Sequence, residues 1–317
     1  MIKKPAEMIN TENRFRVLIA GYPGIGKTTL GLSAPKPLLI DVDFGINRTM
    51  ASVRKDYIQP ESYDELLNDL KGDLSEYETI VIDTGGKLLD LMKAYVIKND
   101  IKNAKKDGTL SLQGYGAVGR EFTRFMNYIY FDLRKHCVII FHAVEEKQDE
   151  DTKLRILVEG STKNTVWQNV ELGGFIEMRG DKKVIGFNNC ERYFAKSSFG
   201  IKGNYTIPEL DGTQQNDFLT KLFEQANKNI QEESKVFEAE RKEYQEVMDK
   251  YIPVIENMTV ETVQEISDLM QTIEHKLTSK KELSNRFLEK LKSLNMQWNK
   301  EKQQYEVKQE VQTNEQN

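Results

Sequence analysis

The stretch Arg14 to Leu30, RFRVLIAGYPGIGKTTL, constrains this chain more than any other. Val17 to Ala20 is a short apolar run that suits a buried strand. It leads directly into Gly21-x-x-x-x-Gly26-Lys27-Thr28, and the residues after Lys27 read as helix. Strand, glycine-rich turn and helix in that order form the P-loop arrangement. Gly21, Gly24 and Gly26 let the backbone curl so that its N–H groups face a phosphate. The helix beginning near Lys27 adds its positive N-terminal end. Lys27 can reach the outer phosphates as a point charge, and the Thr28 hydroxyl suits Mg2+. The candidate cradle is therefore Gly21, Tyr22, Pro23, Gly24, Ile25, Gly26, Lys27, Thr28 and Thr29, with ATP and Mg2+ as its implied ligands. The plain alternative is a glycine turn between strand and helix with no ligand.

Downstream, Leu38 to Asp43 reads as a second buried strand with acidic residues at its end, after Pro35 and Pro37 close the preceding helix. Ser62-Tyr63-Asp64-Glu65 is a capping box that opens a short helix through Leu66, Leu67 and Leu70. Thr79 to Asp83 is another apolar strand closed by a carboxylate. Asp83 fits the Walker B position, holding Mg2+ together with Thr28; otherwise it caps the helix beginning near Gly85. Alternation of apolar strands and helices predicts an α/β domain with a largely parallel sheet, whose ligands sit at the carboxyl ends of the strands. The P-loop, Asp43 and Asp83 all fall there.

Leu88 to Ile101 reads as helix, Lys102 to Gly108 as a mobile basic loop, and Val118 to Lys135 as a second helix. The stripe Phe122, Phe125, Ile129 and Leu133 on that helix reads as core. Cys137 to His142 is a further buried strand. Lys153–Glu159, Gly174–Arg179, Lys182–Phe187 and Arg192–Ala195 then read as short strands of an antiparallel meander. From about residue 216 the composition turns charged and helical. One face is Val260, Val263, Ile266, Met270, Ile273 and Leu277, and another is Leu283, Phe287, Leu291 and Leu294 behind a Ser279-x-x-Glu282 box. Pro253 separates these from the charged segment before it. The expected organisation is a core over residues 1–215, a helical extension over 216–297, and a disordered polar tail over 298–317.

A chain of 317 residues can bury one sizeable core and carry an appendage. Its net charge of −5 excludes an overall basic footprint for nucleic acid, so any such contact needs a local patch. Cys137 and Cys190 stand far apart, which argues against a disulfide or a thiolate zinc site and for a reducing cytoplasm. The N-terminus has no apolar leader, and no run is long enough to span a membrane.

The order of P-loop, acidic pair, Walker B, polar strand end and antiparallel finish resembles the RecA-like ATPase core. More narrowly, residues 10–215 resemble the compact phage ATP-binding proteins of the single-strand annealing type. The resemblance implies an α/β RecA-like fold, ATP hydrolysis with Mg2+, a homo-oligomer, single-stranded DNA as partner and a host-cell cytoplasmic location. It places on Asp43 the role of activating the attacking water, although the family more often has Glu; the alternative is a solvated strand-end carboxylate. It places on His142 the sensing of the γ-phosphate, the alternative being a satisfied polar residue. Lys196-Ser197-Ser198-Phe199-Gly200 resembles the Lys-x-Arg-Phe-Gly signature of RadA-like and related phage proteins, with Ser198 in place of the Arg. Lys196 would then act on a neighbouring subunit's nucleotide. The catalytic candidates are Asp43, Lys27, His142 and Lys196. DNA contact is placed on the loops after the Walker B and sensor strands. The first supplies Lys102, Lys105, Lys106, Arg120 and Arg124, with Tyr115; the second opens on acidic residues. Three functions stay open: DNA annealing or strand exchange, a helicase loader or accessory ATPase, and a nucleotide-locked interaction protein with little turnover. In each, the C-terminal helices are available for a single-strand-binding protein or replication partner.

Overall fold

The computed structural model describes residues 13–148, 151–211 and 213–308. It contains two compact units, one running to Ile230 and one taking up at Gln231. The composition change near residue 216 marks instead the start of a long helix at Phe218.

In the first unit the apolar runs become β1 (Arg16–Gly21), β2 (Pro37–Asp41), β3 (Tyr57–Ile58), β4 (Thr79–Asp83) and β5 (His136–Gln148). They are followed by β6 (Asp151–Ile156), β7 (Leu172–Arg179), β8 (Lys182–Gly186) and β9 (Asn204–Thr206). Along the sheet the order is β3-β2-β4-β5-β1-β7-β8-β9, with β6 paired to β5 alone. Strands β3 to β7 along that order are mutually parallel, and β8 and β9 complete the sheet antiparallel. The fold is thus the expected α/β arrangement of a P-loop core with a mostly parallel sheet and antiparallel end strands. Successive side chains of a strand point to opposite faces. Leu18 and Ala20 accordingly join a core beneath α2 (Tyr63–Asp69), α3 (Gly85–Asn99) and α4 (Leu112–Asn127). Val17 and Ile19 join the opposite core, which Leu219, Leu222, Phe223 and Ala226 of α6 (Phe218–Glu256) complete. Burial on both faces explains why these strands read as unbroken apolar runs.

Several expectations need correction. The helix after the P-loop, α1, is only Lys27–Gly31. The helix expected from Val118 starts at Leu112, capped by Ser111 accepting from Gly114 N at 3.1 Å. Its glycines hid it, since glycine weakens helix propensity; yet Gly114 is required, because a Cβ there would lie 2.2 Å from the Asn103 carbonyl oxygen. The basic segment 102–108 is a folded turn and not a mobile loop: a 3-10 turn (Ile101–Asn103) is followed by a bridge between Ala104 and Leu110. The meander after β5 is interrupted by α5 (Thr162–Gln168), which turns the chain so that β7 runs parallel to β1. Thr162, Thr165 and Val166 are β-branched and weak helix formers, which concealed it. Arg192–Ala195 is not a strand; that stretch makes only isolated bridges through Tyr193 and, next to it, Lys196.

In the second unit, Pro253 lies inside α6 and does not separate the charged segment from the later helices. α7 (Val263–Thr272) and α8 (Ser279–Ser293) pack Val263, Ile266, Leu283, Phe287 and Leu291 against Met248 and Ile255 of α6. Val260 and Leu277, expected on this face, are exposed. Ser279 is the first helical residue, with Thr278 at the cap, and its hydroxyl accepts from Lys276 N at 3.0 Å. The tail expected to be disordered from 298 is, as far as residue 308, an ordered hairpin: β10 (Met296–Asn299) pairs with β11 (Gln304–Val307). Tyr305 packs edge-on to both Phe287 and Trp298, aromatic contact that a composition count does not reveal. Residues 309–317 lie outside the described residues. Among the described residues no helix is long and apolar enough to cross a membrane.

Candidate active site at the carboxyl edge of the sheet

The register gathers the chemistry. Gly21 lies beside His142, and Asp41 beside Asp83, so the ends of β1, β2, β4 and β5 share one edge. Strand β5 sits between the P-loop strand and the acidic strand. His142 is therefore the residue nearest Gly21 on that side.

From Gly21 the chain curls through Gly24 and Gly26 at φ 78° and 97°, values that side chains resist. Nothing lies within 4 Å of where a Gly24 Cβ would be, so the loop is open above its backbone. Gly21 allows close approach instead, since a Cβ would meet the Ile176 carbonyl oxygen at 3.2 Å. α1 is too short to add much of a dipole beyond its first turn, so the loop's own N–H groups are the anion donors. Lys27 is only 6 % exposed. Its Nζ donates to the Tyr22 carbonyl at 2.8 Å, and no carboxylate pairs with it among the described residues. Burial lowers its pKa to about 8, against the opposing pull of Asp83 and Asp43. A buried ammonium with one carbonyl for company is a site short of an anion. Tyr22 extends the loop outward, its hydroxyl donating to Glu145 at 2.6 Å. Pro23 is exposed, Ile25 half-buried, and the Thr29 carbonyl accepts from Asn216 at 2.8 Å.

Thr28 Oγ1 donates to Asp83 Oδ2 at 2.5 Å. Asp83 is 8 % exposed, and burial raises its pKa although the Thr28 hydrogen bond opposes this. A hydroxyl and a carboxylate held together are hard oxygen donors of the kind Mg2+ takes. Open loop, underpartnered lysine and paired oxygens together fit a nucleoside triphosphate with its metal.

The two aspartates after β2 differ sharply. Asp41 is buried and consumed by structure, accepting from Gly45 N at 2.8 Å, Ile46 N at 3.0 Å and Gln59 Nε2 at 2.8 Å. Asp43 donates its N–H to the Asp83 carbonyl at 3.2 Å, and its carboxylate faces the site, paired with Arg48. His142 is held below the usual histidine range, first by burial and then by Lys27, and its Nδ1 has no protein partner. A neutral imidazole with an unused nitrogen is available to a ligand. Asp43 and His142 together line a cavity of about 310 Å³ that also takes in Thr84, Lys87, Tyr115 and Thr162.

The remaining candidates lie elsewhere. Lys196 bridges Gly173 in the lower half of β7, and its ammonium donates to the Trp167 carbonyl at 3.3 Å. Ser198, in the place of the signature Arg, donates to the Glu171 carbonyl at 2.9 Å. Lys102, Lys105 and Lys106 are exposed on the turn after α3. Arg120 and Arg124 are exposed on α4, Arg124 paired with Glu121 at 3.0 Å. None of these basic residues lines the cavity holding Asp43 and His142.

The sequence reading missed three participants. Arg48 neutralises Asp43, and Glu145 ties down Tyr22. Lys183 on β8 is the third; its Nζ is the nearest heavy atom to a hypothetical Gly26 Cβ, at 3.9 Å. No spacing rule connects Lys183 to the P-loop; only the position of β8 at the far side of β7 does.

No curated protein matches the chain. Among solved structures it is similar to a phosphate-loop neighbour described simply as an ATPase domain, at 12 % identity and a TM-score of 0.38, over 62 % of this chain and 81 % of that one. It is also similar to the flagellar accessory protein FlaH from Methanocaldococcus jannaschii, at 13 % identity and a TM-score of 0.32, over 63 % and 88 %. Both likenesses are too distant to bear on its chemistry. The family model described as an AAA domain, however, matches residues 13–199, more than half of the chain and the whole of the site just described, so this chain belongs to that family as a nucleotide-binding P-loop ATPase domain of RecA-like build.

Proposed function

We propose that this chain is an oligomeric ATPase that binds single-stranded DNA and promotes annealing or strand exchange, with turnover responsive to DNA. The observation that carries this reading is the position of His142. It stands next to Gly21, and its carbonyl accepts from Leu157 N at 2.8 Å, the residue that ends the β5–β6 ribbon. A change at the phosphate end of the site is thereby passed by one residue to the segment 157–162 on the cavity wall.

In this mechanism Lys27 holds the outer phosphates while Thr28 and Asp83 would hold the metal. Bound Mg2+ and triphosphate supply the transferable phosphoryl group and the charge neutralisation around it. Asp43 turns from Arg48 to accept a proton from the attacking water. Lys196 serves a neighbouring subunit. Its backbone partner Gly173 precedes Ile176, the neighbour of Gly21, by three residues, about 10 Å of strand. Antiparallel β8 and β9 beyond the sensor strand favour this reading over a helicase loader. The second unit then offers its helices to a single-strand-binding or replication partner.

One observation favours a second reading, a nucleotide-locked protein with little turnover: the Asp43 carboxylate is already paired with Arg48. ATP hydrolysis by the purified protein with and without single-stranded DNA, with Lys27→Ala as blank, separates the readings. A DNA-stimulated rate lost in the variant supports recombination. A rate indifferent to DNA points to the loader or accessory role, and tight binding without turnover to the locked protein.

A further inference from the structure

A second recess lies away from the nucleotide edge, where the end of α5 meets the segment after β8. Its volume is about 670 Å³, and its lining includes Trp167, Phe194, Asn188, Asn189, Lys196 and Lys202. Each part is held for a physical reason. Gly173 lets the indole close over the start of β7, for a Cβ there would lie 2.3 Å from Trp167 Cζ3. Phe194 stands edge-on to Trp167, with centroids 4.9 Å apart, yet remains 45 % exposed. An aromatic ring half in water beside a second ring costs hydrophobic free energy unless something stacks on it.

The polar lining is one-sided. Asn188 Oδ1 accepts from Gly203 N at 3.0 Å and Asn189 Oδ1 from Ala195 N at 2.7 Å. A backbone N–H can meet only the amide oxygen, so both NH2 groups are left to face outward. Lys202 is exposed with no carboxylate partner among the described residues, and Lys196 adds a second ammonium. No Asp or Glu lines the recess; Glu191, exposed on the same segment, lies outside it. On a chain of net charge −5, a groove of donors, cations and aromatic faces without a carboxylate is a local exception.

We propose that this groove is a docking site for single-stranded nucleic acid, an inference that rests on the DNA-binding reading above but moves the contact away from the turn carrying Lys102, Lys105 and Lys106. Phosphates and base carbonyls accept hydrogen bonds, which the amides and lysines donate, and an unpaired base stacks on Phe194 beside Trp167. A duplex has no free base face to offer and binds less well.

The test uses the full chain with Trp298→Phe, which leaves Trp167 as the sole tryptophan of the original two. Labelled oligo-dT is titrated while indole emission and anisotropy are followed. The expected results are quenching of Trp167 by the oligonucleotide, about tenfold weaker binding in Phe194→Ala, and recovery in Phe194→Tyr. Lys202→Ala, an exposed change that leaves folding and basal ATPase rate unaltered, lowers the slope of log affinity against log salt by about 0.7. Oligonucleotide binding with unchanged emission, affinity and slope in these variants overturns the groove and leaves the DNA reading intact. Quenching by ATP alone, without DNA, also overturns it, assigning the groove to nucleotide. Absence of any oligonucleotide binding by the unaltered protein removes the DNA reading and this inference together.

Discussion

The α/β unit and the helical unit treat buried charge in opposite ways. In the first, Lys27, Asp41, Asp83 and Glu121 are all buried. In the second, Ser279 is the one buried polar residue among those described, and the core is Met248, Leu283, Phe287 and their apolar neighbours. Taking an ion out of water costs several kcal/mol, so a fold retains one only where partners or a ligand offset that. Asp41 has its three donors, and Glu121 has the Tyr63 hydroxyl at 3.0 Å and Arg124 at 3.0 Å. Asp83 has Thr28. Lys27 has one carbonyl. The difference locates the chemistry in the first unit, at its one underpartnered ion, and makes the second unit a matter of stability and surface.

The comparison breaks most visibly if the units do not behave separately. Phe287→Ala removes a ring from the helical core and is expected to cost about 3–5 kcal/mol there. Urea unfolding followed by Trp298 emission reports it, because Trp298 packs against Tyr305 and Tyr305 against Phe287. ATP affinity should stay within about twofold; a larger loss would join what the cores separate. Lys27→Ala is the converse experiment. It should weaken ATP binding about 100-fold by calorimetry while the Trp298 transition does not move.

A third experiment follows the same lysine with pH. In the free protein burial has lowered its pKa to about 8. Bound phosphate favours the ammonium and raises that value, so binding takes up a proton once the free lysine has lost its own. Affinity should be flat below pH 8 and fall by up to about tenfold per unit above it. Calorimetry in buffers of different ionisation enthalpy should record uptake approaching about one proton in that range. Stability of the free α/β unit runs the other way, because the lowered pKa means that the charged lysine opposes folding. That cost eases as pH rises from about 8 toward 10.5. A pH-independent affinity would mean that Lys27 is not the phosphate ligand. The smallest effect sharpens the choice between turnover and locking. Arg48→Ala frees the Asp43 carboxylate from an exposed pair worth at most about 1 kcal/mol, so turnover should rise no more than about fivefold. Equal rates in Asp43→Asn and the unaltered protein would remove Asp43 from the mechanism.

Local pattern was enough for the parts whose physics is local. The apolar runs at Val17, Leu38, Thr79 and Cys137 became buried strands, because strands covered on both faces have no polar period to disguise them. The Ser62 cap is present as read, its hydroxyl accepting from Glu65 N at 3.2 Å. The spacing of Gly21, Gly26, Lys27 and Thr28 placed the cradle, since a backbone curl followed by a helix is written in consecutive residues. What failed locally failed for local reasons: glycines masked the start of α4, and β-branched residues masked α5.

Other features required the chain to meet itself. That Asp41 is spent on Gly45, Ile46 and Gln59 while Asp43 faces the site depends on how the turn after β2 closes. Arg48 on Asp43, Glu145 on Tyr22 and Lys183 over Gly26 join residues that no window along the sequence relates. The groove of Trp167, Phe194 and Lys202 exists only because β7 returned parallel to β1 and brought the end of α5 against the segment after β8. By itself, then, the sequence determined the strand runs, the phosphate loop and the class of fold, because these rest on hydrophobic period and backbone freedom within a few residues. Tertiary structure alone decided which carboxylate is free, which cation is unpaired and where a second ligand could lie, because charge and exposure are properties of neighbours in space.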